Sequence, residues 1–213
     1  DEVLTSYGAK PGSEFLMGWG FVPKGNPFDA VELEFSLDRA TLAEPERVRL
    51  CLVAAAVWSD EGGPAPCEVL RAAEHTEPMA VRVLLTARRP LPEPLLGLSR
   101  LERLPTEALS GLRSLLGAAA LEQCLRKGSP LGDGVADEGL REACALAERQ
   151  AVGSLAHVMR ALLSRYPTTL EEDEAMLSGD VSAGPLASAL ALRTTEKRIL
   201  RAALAALAKL SAG

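Results

Sequence analysis

Residues 138–177 read EGLREACALAERQAVGSLAHVMRALLSRYPTTLEEDEAML, and this stretch carries the clearest helical pattern of the chain. In its first part, apolar side chains recur at steps of four or three residues, the spacing of one face of an α-helix. These side chains are Leu140, Cys144, Ala147, Ala151, Leu155, Val158 and Leu162. Pro167 ends the pattern, because proline lacks the amide hydrogen that a helix interior needs. The stretch therefore predicts a long amphipathic helix over residues 138–165.

A second helix is predicted directly after Pro167 by its capping signal. Thr168 and Thr169 are both good N-cap residues. A glutamate follows each of them three residues later, which is the spacing of a capping box in either register. The acidic run over residues 171–174 also suits the positive end of a helix dipole.

The last long helix is predicted over residues 185–210. Its expected buried side is formed by Leu192, Ile199, Ala203, Leu207 and Leu210. Arg193, Lys197 and Arg201 step by four residues along another line of the same helix. This basic line is either a solvated face or part of a surface that docks a substrate.

The first 40 residues differ from the rest, because glycine and proline interrupt them and most of the aromatic residues lie there. Residues 3–7 are partly β-branched and predict a short strand. Ser13 is a good N-cap for a short helix over residues 14–18. Apolar and polar residues alternate over residues 31–37, which predicts a half-buried strand.

The middle of the chain is expected to be mostly helical. Residues 45–58 predict a helix with proline in its first turn. Residues 81–86 form too short a run to distinguish a strand from part of a helix. Residues 106–127 are rich in leucine and alanine and predict helix, with loops at 60–66 and 129–137. The fold class is therefore mostly α, with a small β-containing piece before a helical domain.

Length and composition are those of an ordinary globular chain. The 213 residues are 47% hydrophobic and carry a net charge of −6, which excludes wholesale disorder. The acidic balance argues against a nucleic-acid scaffold, which is usually basic. No apolar run reaches the roughly 18–20 residues of a membrane span. We expect a soluble intracellular monomer that binds neither nucleic acid nor a membrane, in the chloroplast, cytoplasm or nucleus.

The cysteines and histidines predict no metal site and no disulfide framework. The cysteines are Cys51, Cys67, Cys124 and Cys144. No pair of them has the spacing of a zinc half-site, whose ligands lie roughly two to four residues apart. Buried, inert thiols are expected at residues 51, 124 and 144, which lie among apolar residues. His75 and His157 are expected at surface or helix positions.

Three segments resemble one enzyme family, in its order and spacing. The first, residues 2–29, is similar to the C-terminal end of the SET domain of the Rubisco large-subunit methyltransferase-like family, which also includes the actin-histidine methyltransferase. The matching positions are Tyr7, Gly8, Glu14, Phe15, Gly20, Phe21, Asn26 and Asp29. Residues 166–177, YPTTLEEDEAML, resemble the family's Y-x-T-T-x-E-E-D motif. Residues 186–204 resemble its R-x-x-E-K-x-I-L helix.

The resemblance implies two domains and an enzyme. Residues 1–38 would be the C-terminal remnant of a SET domain, and residues 39–213 a helical substrate-binding domain of the Rubisco LSMT type. The parent protein would be a protein-lysine N-methyltransferase that uses S-adenosyl-L-methionine on a lysine-bearing protein, with this piece inactive alone. Two alternatives stay open: a protein-histidine N-methyltransferase of the same family, and a helical protein-binding module without catalysis.

The resemblance also implies site residues. Tyr7 would be the catalytic tyrosine, whose hydroxyl points at the transferred methyl group. The residues expected to line the cofactor are Trp19, Gly20 and Phe21. The candidate substrate-binding residues are Arg193, Lys197 and Arg201. No metal is implied.

The sequence departs from the family pattern at two positions. Gly12 stands where the pattern has asparagine, and Trp19 stands where tyrosine is frequent. The tyrosine ring helps to shape the lysine channel in the family, so Trp19 bears on substrate choice and methylation state. The family's glycine-containing cofactor loop and its Asn-His-Ser segment are expected upstream of Asp1.

Overall fold

The computed structural model describes residues 6–36, 67–71, 80–179 and 184–212. The elements of this described part, in chain order, are α1 (Gly12–Trp19), β1 (Ala30–Ser36), β2 (Cys67–Arg71), β3 (Ala80–Thr86), α2 (Glu93–Arg103), α3 (Thr106–Leu116), α4 (Ala118–Lys127), α5 (Glu138–Ser164), α6 (Leu170–Ser178) and α7 (Pro185–Ala212). The protein is mostly helical, as predicted. The predicted helix over 45–58 and the predicted loop over 60–66 lie outside the described residues.

The three strands form one antiparallel sheet in the order β1-β3-β2. Residues 81–86, which the sequence left undecided, are therefore a strand at its centre. Val81, Val83 and Leu85 are fully buried on one face of β3. Successive side chains of a strand point to opposite faces, and this burial fixes which face packs on the helices.

The predicted half-buried strand over 31–37 is confirmed as β1, with Leu37 outside the described residues. Val31 and Leu33 are buried, whereas Glu32 and Glu34 are exposed. Because a shift of one residue would reverse these faces, the alternation also fixes the pairing of β1 with β3.

Helix α2 lies at the centre of the helical part. Its residues from Pro94 to Leu101 are all buried, including Arg100. The guanidinium of Arg100 donates to both carboxylate oxygens of Glu148 on α5, with Nη2 2.7 Å from Oε1. It also donates to the carbonyl of Gly128 at 2.7 Å. A buried charge is strongly unfavourable unless it is paired in this way, so Arg100 joins α2 to α5 and to the end of α4.

The predicted helix at 138–165 is confirmed as α5. Asp137 caps it by accepting a hydrogen bond from the amide of Leu140 at 2.7 Å. Most of the predicted stripe is buried, but Val158 is exposed, so its predicted burial is wrong. Met159 is buried instead, because it lies one full turn after the buried Leu155. The predicted helical stretch 106–127 is two helices, separated at Gly117, whose φ is +78°.

The predicted capping box is confirmed in its second register. The Thr169 hydroxyl accepts from the amide of Glu172 at 3.1 Å, and the Glu172 carboxylate accepts from the amide of Thr169 at 2.6 Å. Two backbone donors at the start of α6 are thereby satisfied.

Helix α7 confirms the predicted last helix and joins the two parts of the molecule. It contacts α5 and α6 on the helical side, and α1, β1 and β3 on the other. Ile199, Ala203 and Leu207 are buried as predicted. Leu210 is exposed, so its predicted burial is wrong: every residue from 208 to 211 is exposed, because this end of α7 extends past its packing partners.

Helix α1 exists as predicted, but the predicted N-cap is wrong. The helix begins at Gly12 with Pro11 as its N-cap, and no side chain caps it. The carbonyl of Pro11 accepts from the amides of Glu14 and Phe15, so the helical hydrogen bonds start two residues before Ser13. Residues 6 and 7, the end of the predicted first strand, have irregular backbone, and residues 3–5 lie outside the described residues.

Candidate functional site

Four aromatic rings of the N-terminal segment pack against one another, and we call Tyr7, Phe15, Trp19 and Phe21 the aromatic cluster. The Tyr7 ring meets the Trp19 ring edge to face, with centroids 5.1 Å apart. Tyr7 also lies 5.9 Å from Phe15 and 6.3 Å from Phe21. Edge-to-face geometry at these separations is the favourable one for aromatic pairs. The structure thus brings together three of the residues that the sequence assigned to one site.

The cluster has a buried base and an exposed rim. Phe15 is buried, whereas Tyr7 is 50%, Trp19 46% and Phe21 40% exposed. Phe15 supports the other rings, and it is the member that sequence reasoning did not assign to the site. Its spacing of four residues from Trp19 within one helix was a usable signal, since such residues face each other.

Gly20 turns the chain so that Phe21 returns toward Phe15. Its φ of +78° is left-handed, and its amide donates to the carbonyl of Leu16 at 3.0 Å, which closes α1. Glycine is the residue that adopts this conformation without steric cost. A Cβ placed there would have no atom within 4 Å, so the backbone beside the cluster is open. The predicted cofactor-lining residues therefore form an accessible surface.

Hydrogen bonds around Asp29 hold the start of α1 in place beside the cluster. The amide of Gly12 donates to Asp29 Oδ1 at 2.8 Å, and Asn26 Nδ2 donates to the same oxygen at 2.9 Å. Asn26 Nδ2 also donates to the carbonyl of Lys10 at 2.8 Å. Burial raises the pKa of Asp29, while the hydrogen bonds from Gly12 and Asn26 oppose that rise.

The departure at Gly12 has a steric reason. A Cβ at this position would lie 2.8 Å from Asp29 Oδ1, 3.1 Å from Val22 and 3.3 Å from Leu192. The first distance is shorter than any ordinary contact, and the hydrogen bonds on Asp29 leave that oxygen little freedom to move. Glycine therefore allows α1 to approach Asp29 and α7 closely.

The motif segments 166–177 and 186–204 meet in a buried ionic group, which we call the α6–α7 clasp: Thr168, Asp173, Arg193 and Lys197. Lys197 is 2% and Asp173 0% exposed, and their charged atoms lie 2.6 Å apart. Lys197 Nζ also donates to the carbonyls of Thr168 and Thr169. Arg193 Nη2 donates to Asp173 Oδ1 at 2.6 Å. The interpretation of Lys197 as part of a solvated face is therefore wrong.

The balance of effects on Asp173 favours its charged form. Burial raises the pKa of Asp173, but hydrogen bonds from Lys197, Thr168 and Arg193 outweigh it, so the pKa lies below its usual value. Hydrogen bonds to a carboxylate stabilise the ion in this way. The clasp thus holds α6 on α7 with paired charges.

Arg201, the third residue of the basic line, lies at the surface. Its guanidinium forms two hydrogen bonds with Glu171, one of them 2.8 Å long. The hydrogen bonds from Arg201 lower the pKa of Glu171 to about 2. Substrate binding by Arg193, Lys197 and Arg201 stays a prediction, since their contacts here are all within the chain.

Tyr166, which opens the second motif, connects the end of α5 to α7. Its hydroxyl donates to the carboxylate of Glu196 at 2.8 Å, and Lys197 Nζ lies 5.2 Å from its ring centroid. Burial raises the pKa of Tyr166, and Glu196 raises it further. These contacts connect the end of α5 to α7 through Tyr166.

The remaining candidates are the cysteines and histidines. Within the described ranges, no group of three or more His, Cys, Asp or Glu residues could hold a metal ion. Cys144 is buried as predicted, and burial raises the pKa of its thiol; Cys124 is half-buried. His157 is exposed on α5 as predicted, while Cys51 and His75 lie outside the described residues. No described helix combines the length and apolar character needed to cross a membrane.

Comparison with known proteins gives one family and one fold. The Rubisco LSMT substrate-binding family model matches residues 59–200. No curated protein matches the chain significantly in sequence. Two similar solved structures are Rubisco LSMT bound to sinefungin and monomethyllysine, and the SET domain of LSMT bound to lysine and AdoHcy. Each aligns with a TM-score of 0.57 and 19% identity, over 95% of this chain and 39% of its own chain. Rubisco LSMT bound to AdoMet aligns with a TM-score of 0.57 and 18% identity, over 94% and 38%. At this identity the likeness shows the fold, and the chain spans about two fifths of the length of these structures.

Proposed function

Because the chain belongs to the Rubisco LSMT substrate-binding family, we propose that it is a C-terminal part of an S-adenosylmethionine-dependent protein-lysine N-methyltransferase of the SET type. Residues 1–38 would complete the catalytic SET domain, and residues 39–213 would form the domain that docks the protein substrate. The fold likeness to LSMT covers 95% of the chain, so it includes the N-terminal segment outside the family match. The observation that carries the proposal is the packing of Tyr7 against Trp19, Phe15 and Phe21.

The aromatic cluster suits a wall of a methyl-transfer site. S-adenosylmethionine would supply the methyl group, on a sulfonium cation. Aromatic faces attract such cations, and the half-exposed rings of Trp19 and Phe21 offer them beside the open backbone of Gly20. Tyr7 would place its hydroxyl toward the partly positive methyl group, from a ring that three other rings hold in position.

The same wall favours the reactive form of the acceptor. A free lysine amine has a pKa of about 10.4 and must lose its proton before it can attack. Contact with the apolar rings would exclude water from the amine, which disfavours the ammonium ion and so lowers that pKa. Orientation of amine and methyl group in one site then supplies much of the rate, as in an intramolecular displacement.

The test is methyl transfer by the longest natural polypeptide that contains this chain, with labelled S-adenosylmethionine and lysine-bearing protein extracts. We expect Tyr7→Phe to lower kcat by about 10²–10³-fold, the loss typical of one transition-state contact. The matched control is Tyr166→Phe, because it removes the only other tyrosine hydroxyl of the chain, which bonds Glu196. Full activity of Tyr7→Phe would overturn the role of Tyr7.

The two alternatives have distinct outcomes in the same assay. Label found on histidine after hydrolysis of the product would indicate the histidine methyltransferase. Trp19 bears on this choice of acceptor, because it replaces a tyrosine that shapes the channel in the family. If the protein neither transfers a methyl group nor binds S-adenosylmethionine in calorimetry, the helical protein-binding module is the alternative that remains. For the 213-residue chain alone we expect no transfer and no micromolar binding of S-adenosylmethionine.

A further inference from the structure

Helix α3 and the first two turns of α5 enclose a groove of about 670 Å³, which we call the α3–α5 groove. Its floor is apolar and is formed by Ala108, Leu115, Leu140 and Ala143. Gly111 lines it as well, and a Cβ there would lie 3.5 Å from Leu140, an ordinary van der Waals contact. The volume falls within the range of roughly 300–1,000 Å³ that is usual for ligand sites.

The rim of the groove is acidic. Glu107 and Asp137 are the charged residues among those that line it in the described structure, and both are exposed. Asp137 uses one carboxylate oxygen to cap α5, at 2.7 Å from the amide of Leu140. Because both residues line the groove, it combines an apolar floor with two acidic side chains.

The apolar surface continues along α5. A second hollow shares Gly139 and Ala143 with the groove and adds Leu146. Leu115 is 53% exposed and Leu146 is also exposed, so two large apolar side chains lie open on neighbouring helices. Glu142 and Arg149 line the second hollow with opposite charges, which leaves the excess negative charge at the α3 end.

We propose that the α3–α5 groove docks a segment of the protein substrate in which an apolar side chain stands beside lysine or arginine. This inference rests on the proposed function, because it takes the helical domain to bind the protein that is methylated. The apolar side chain would fill the floor, where burial contributes about 25 cal/mol per Å². The basic neighbours would pair with Glu107 and Asp137, and acidic segments would be rejected by the same charges.

The test measures peptide binding by fluorescence anisotropy, on the full 213-residue chain and without S-adenosylmethionine. The probe is a fluorescein-labelled ten-residue peptide of leucine and lysine, and its partner is the same peptide with glutamate for lysine. We expect the lysine peptide to bind and the glutamate peptide to bind at least about tenfold more weakly, or 1.4 kcal/mol. Equal binding of the two peptides would overturn the charge argument.

Two variants localise the binding. Ser114→Trp should fill the groove and weaken the lysine peptide at least about tenfold. Ser110→Trp is the matched control, because Ser110 is exposed on the same helix but does not line the groove. The pair Glu107→Gln and Asp137→Asn should weaken binding and reduce its salt dependence, and asparagine keeps the cap on α5. Unchanged binding by Ser114→Trp and by the charge pair, with intact circular dichroism, would overturn the docking site.

These outcomes separate the docking site from the proposed enzyme. Tyr7→Phe should bind the peptide as the parent chain does, since it leaves the groove intact. Groove-dependent peptide binding in a protein that transfers no methyl group would retain the docking site and reject the enzyme. Methyl transfer that survives Ser114→Trp with unchanged KM and kcat would retain the enzyme and reject the site.

Discussion

In the aromatic cluster three of four rings are 40–50% exposed, whereas in the α6–α7 clasp the central ion pair is almost completely buried. The cluster therefore exposes apolar side chains and the clasp buries charged ones, which is the reverse of where these residue types usually lie. In the clasp, every charge meets a partner inside the chain, so removal of one partner alone would be costly. In the cluster, large apolar surfaces stay uncovered although a buried Phe15 holds them in order. The difference is that the clasp has its charged groups paired within the fold, whereas the cluster keeps apolar surface accessible for contact.

The loss of Lys197 from the α6–α7 clasp should lower stability most. Lys197→Ala leaves the buried Asp173 paired with Arg193 but without its buried cation, and we expect the free energy of unfolding to fall by up to about 3–5 kcal/mol. Urea unfolding followed by circular dichroism measures it. Arg198→Ala is the matched control, because its pair with Glu174 is exposed and should contribute at most about 1 kcal/mol. A loss of similar size in both variants would contradict the structural role of burial.

A neutral replacement of the whole pair sharpens this result. The double variant Lys197→Met with Asp173→Leu removes both buried charges and should recover much of the lost stability, because the partner it leaves, Arg193, is 28% exposed and can be solvated. Recovery would locate the cost of Lys197→Ala in the carboxylate left without Lys197. A double variant as unstable as Lys197→Ala would locate it in lost packing.

The second effect concerns the attachment of the cluster to α7. Gly12→Ala places a methyl group 2.8 Å from Asp29 Oδ1, and we expect a loss of about 1–3 kcal/mol in the free energy of unfolding. Gly18→Ala, in the same helix with open space around it, should instead stabilise by up to about 1 kcal/mol. Thermal unfolding of the two variants gives the comparison. Equal changes in stability for the two variants would mean that the neighbours of Gly12 move aside for the new methyl group at no cost in free energy.

The third effect tests the exposed rim of the cluster. Trp19→Gln and Phe21→Gln together should change the free energy of unfolding by only about 1 kcal/mol, because both rings are half-exposed. Fluorescence of bound anilinonaphthalene sulfonate should fall in the same variant, since the dye binds exposed apolar surface. Leu186→Gln, at an isolated exposed position, should leave that fluorescence unchanged. A stability loss as large as that of Lys197→Ala would place the rings in the core.

The smallest effect is a dependence on pH. Burial raises the pKa of Glu196, and the charge of Asp29 adds to the rise, against the hydrogen bond from Tyr166. The folded state therefore holds this proton more tightly than the unfolded state, so stability falls as pH rises above about 4.3 through the folded pKa. Glu196→Gln should therefore stabilise the protein more at pH 7 than at pH 4. The difference between the two gains in the free energy of unfolding should be less than about 1 kcal/mol. Glu142→Gln on the exposed side of α5 is the control, and a pH-independent gain would contradict the assignment.

The local signals of the sequence were sufficient for several elements. The Thr169–Glu172 pair predicted the start of α6, because a capping box involves residues three apart and needs no distant partner. The alternation over 31–37 predicted β1, because one face meets the core and the other meets water. Residues 81–86 stayed undecided, since a run of that length fits a strand or a helix until its neighbours are known.

Contacts distant in sequence were the ones that local patterns missed. Helix α2 was not predicted as a separate helix: its burial includes Arg100, whose partners Glu148 and Gly128 lie 48 and 28 residues away. The burial of Lys197 was missed because its partner Asp173 lies 24 residues away. A signal existed: Lys197 continues the spacing of Leu190 and Thr194, which are both buried. For the candidate site, the family resemblance was needed to associate Tyr7 with Trp19 and Phe21.

The close approach at Gly12 also constrains how this protein can diverge. The space that a side chain would need at position 12 is shared by Val22 and Asp29 in the N-terminal segment and by Leu192 in α7. A mutation to asparagine, the residue of the family pattern, would be accepted only on a background in which those neighbours had already changed. We therefore expect substitutions at positions 12 and 192, which are 180 residues apart, to depend on each other.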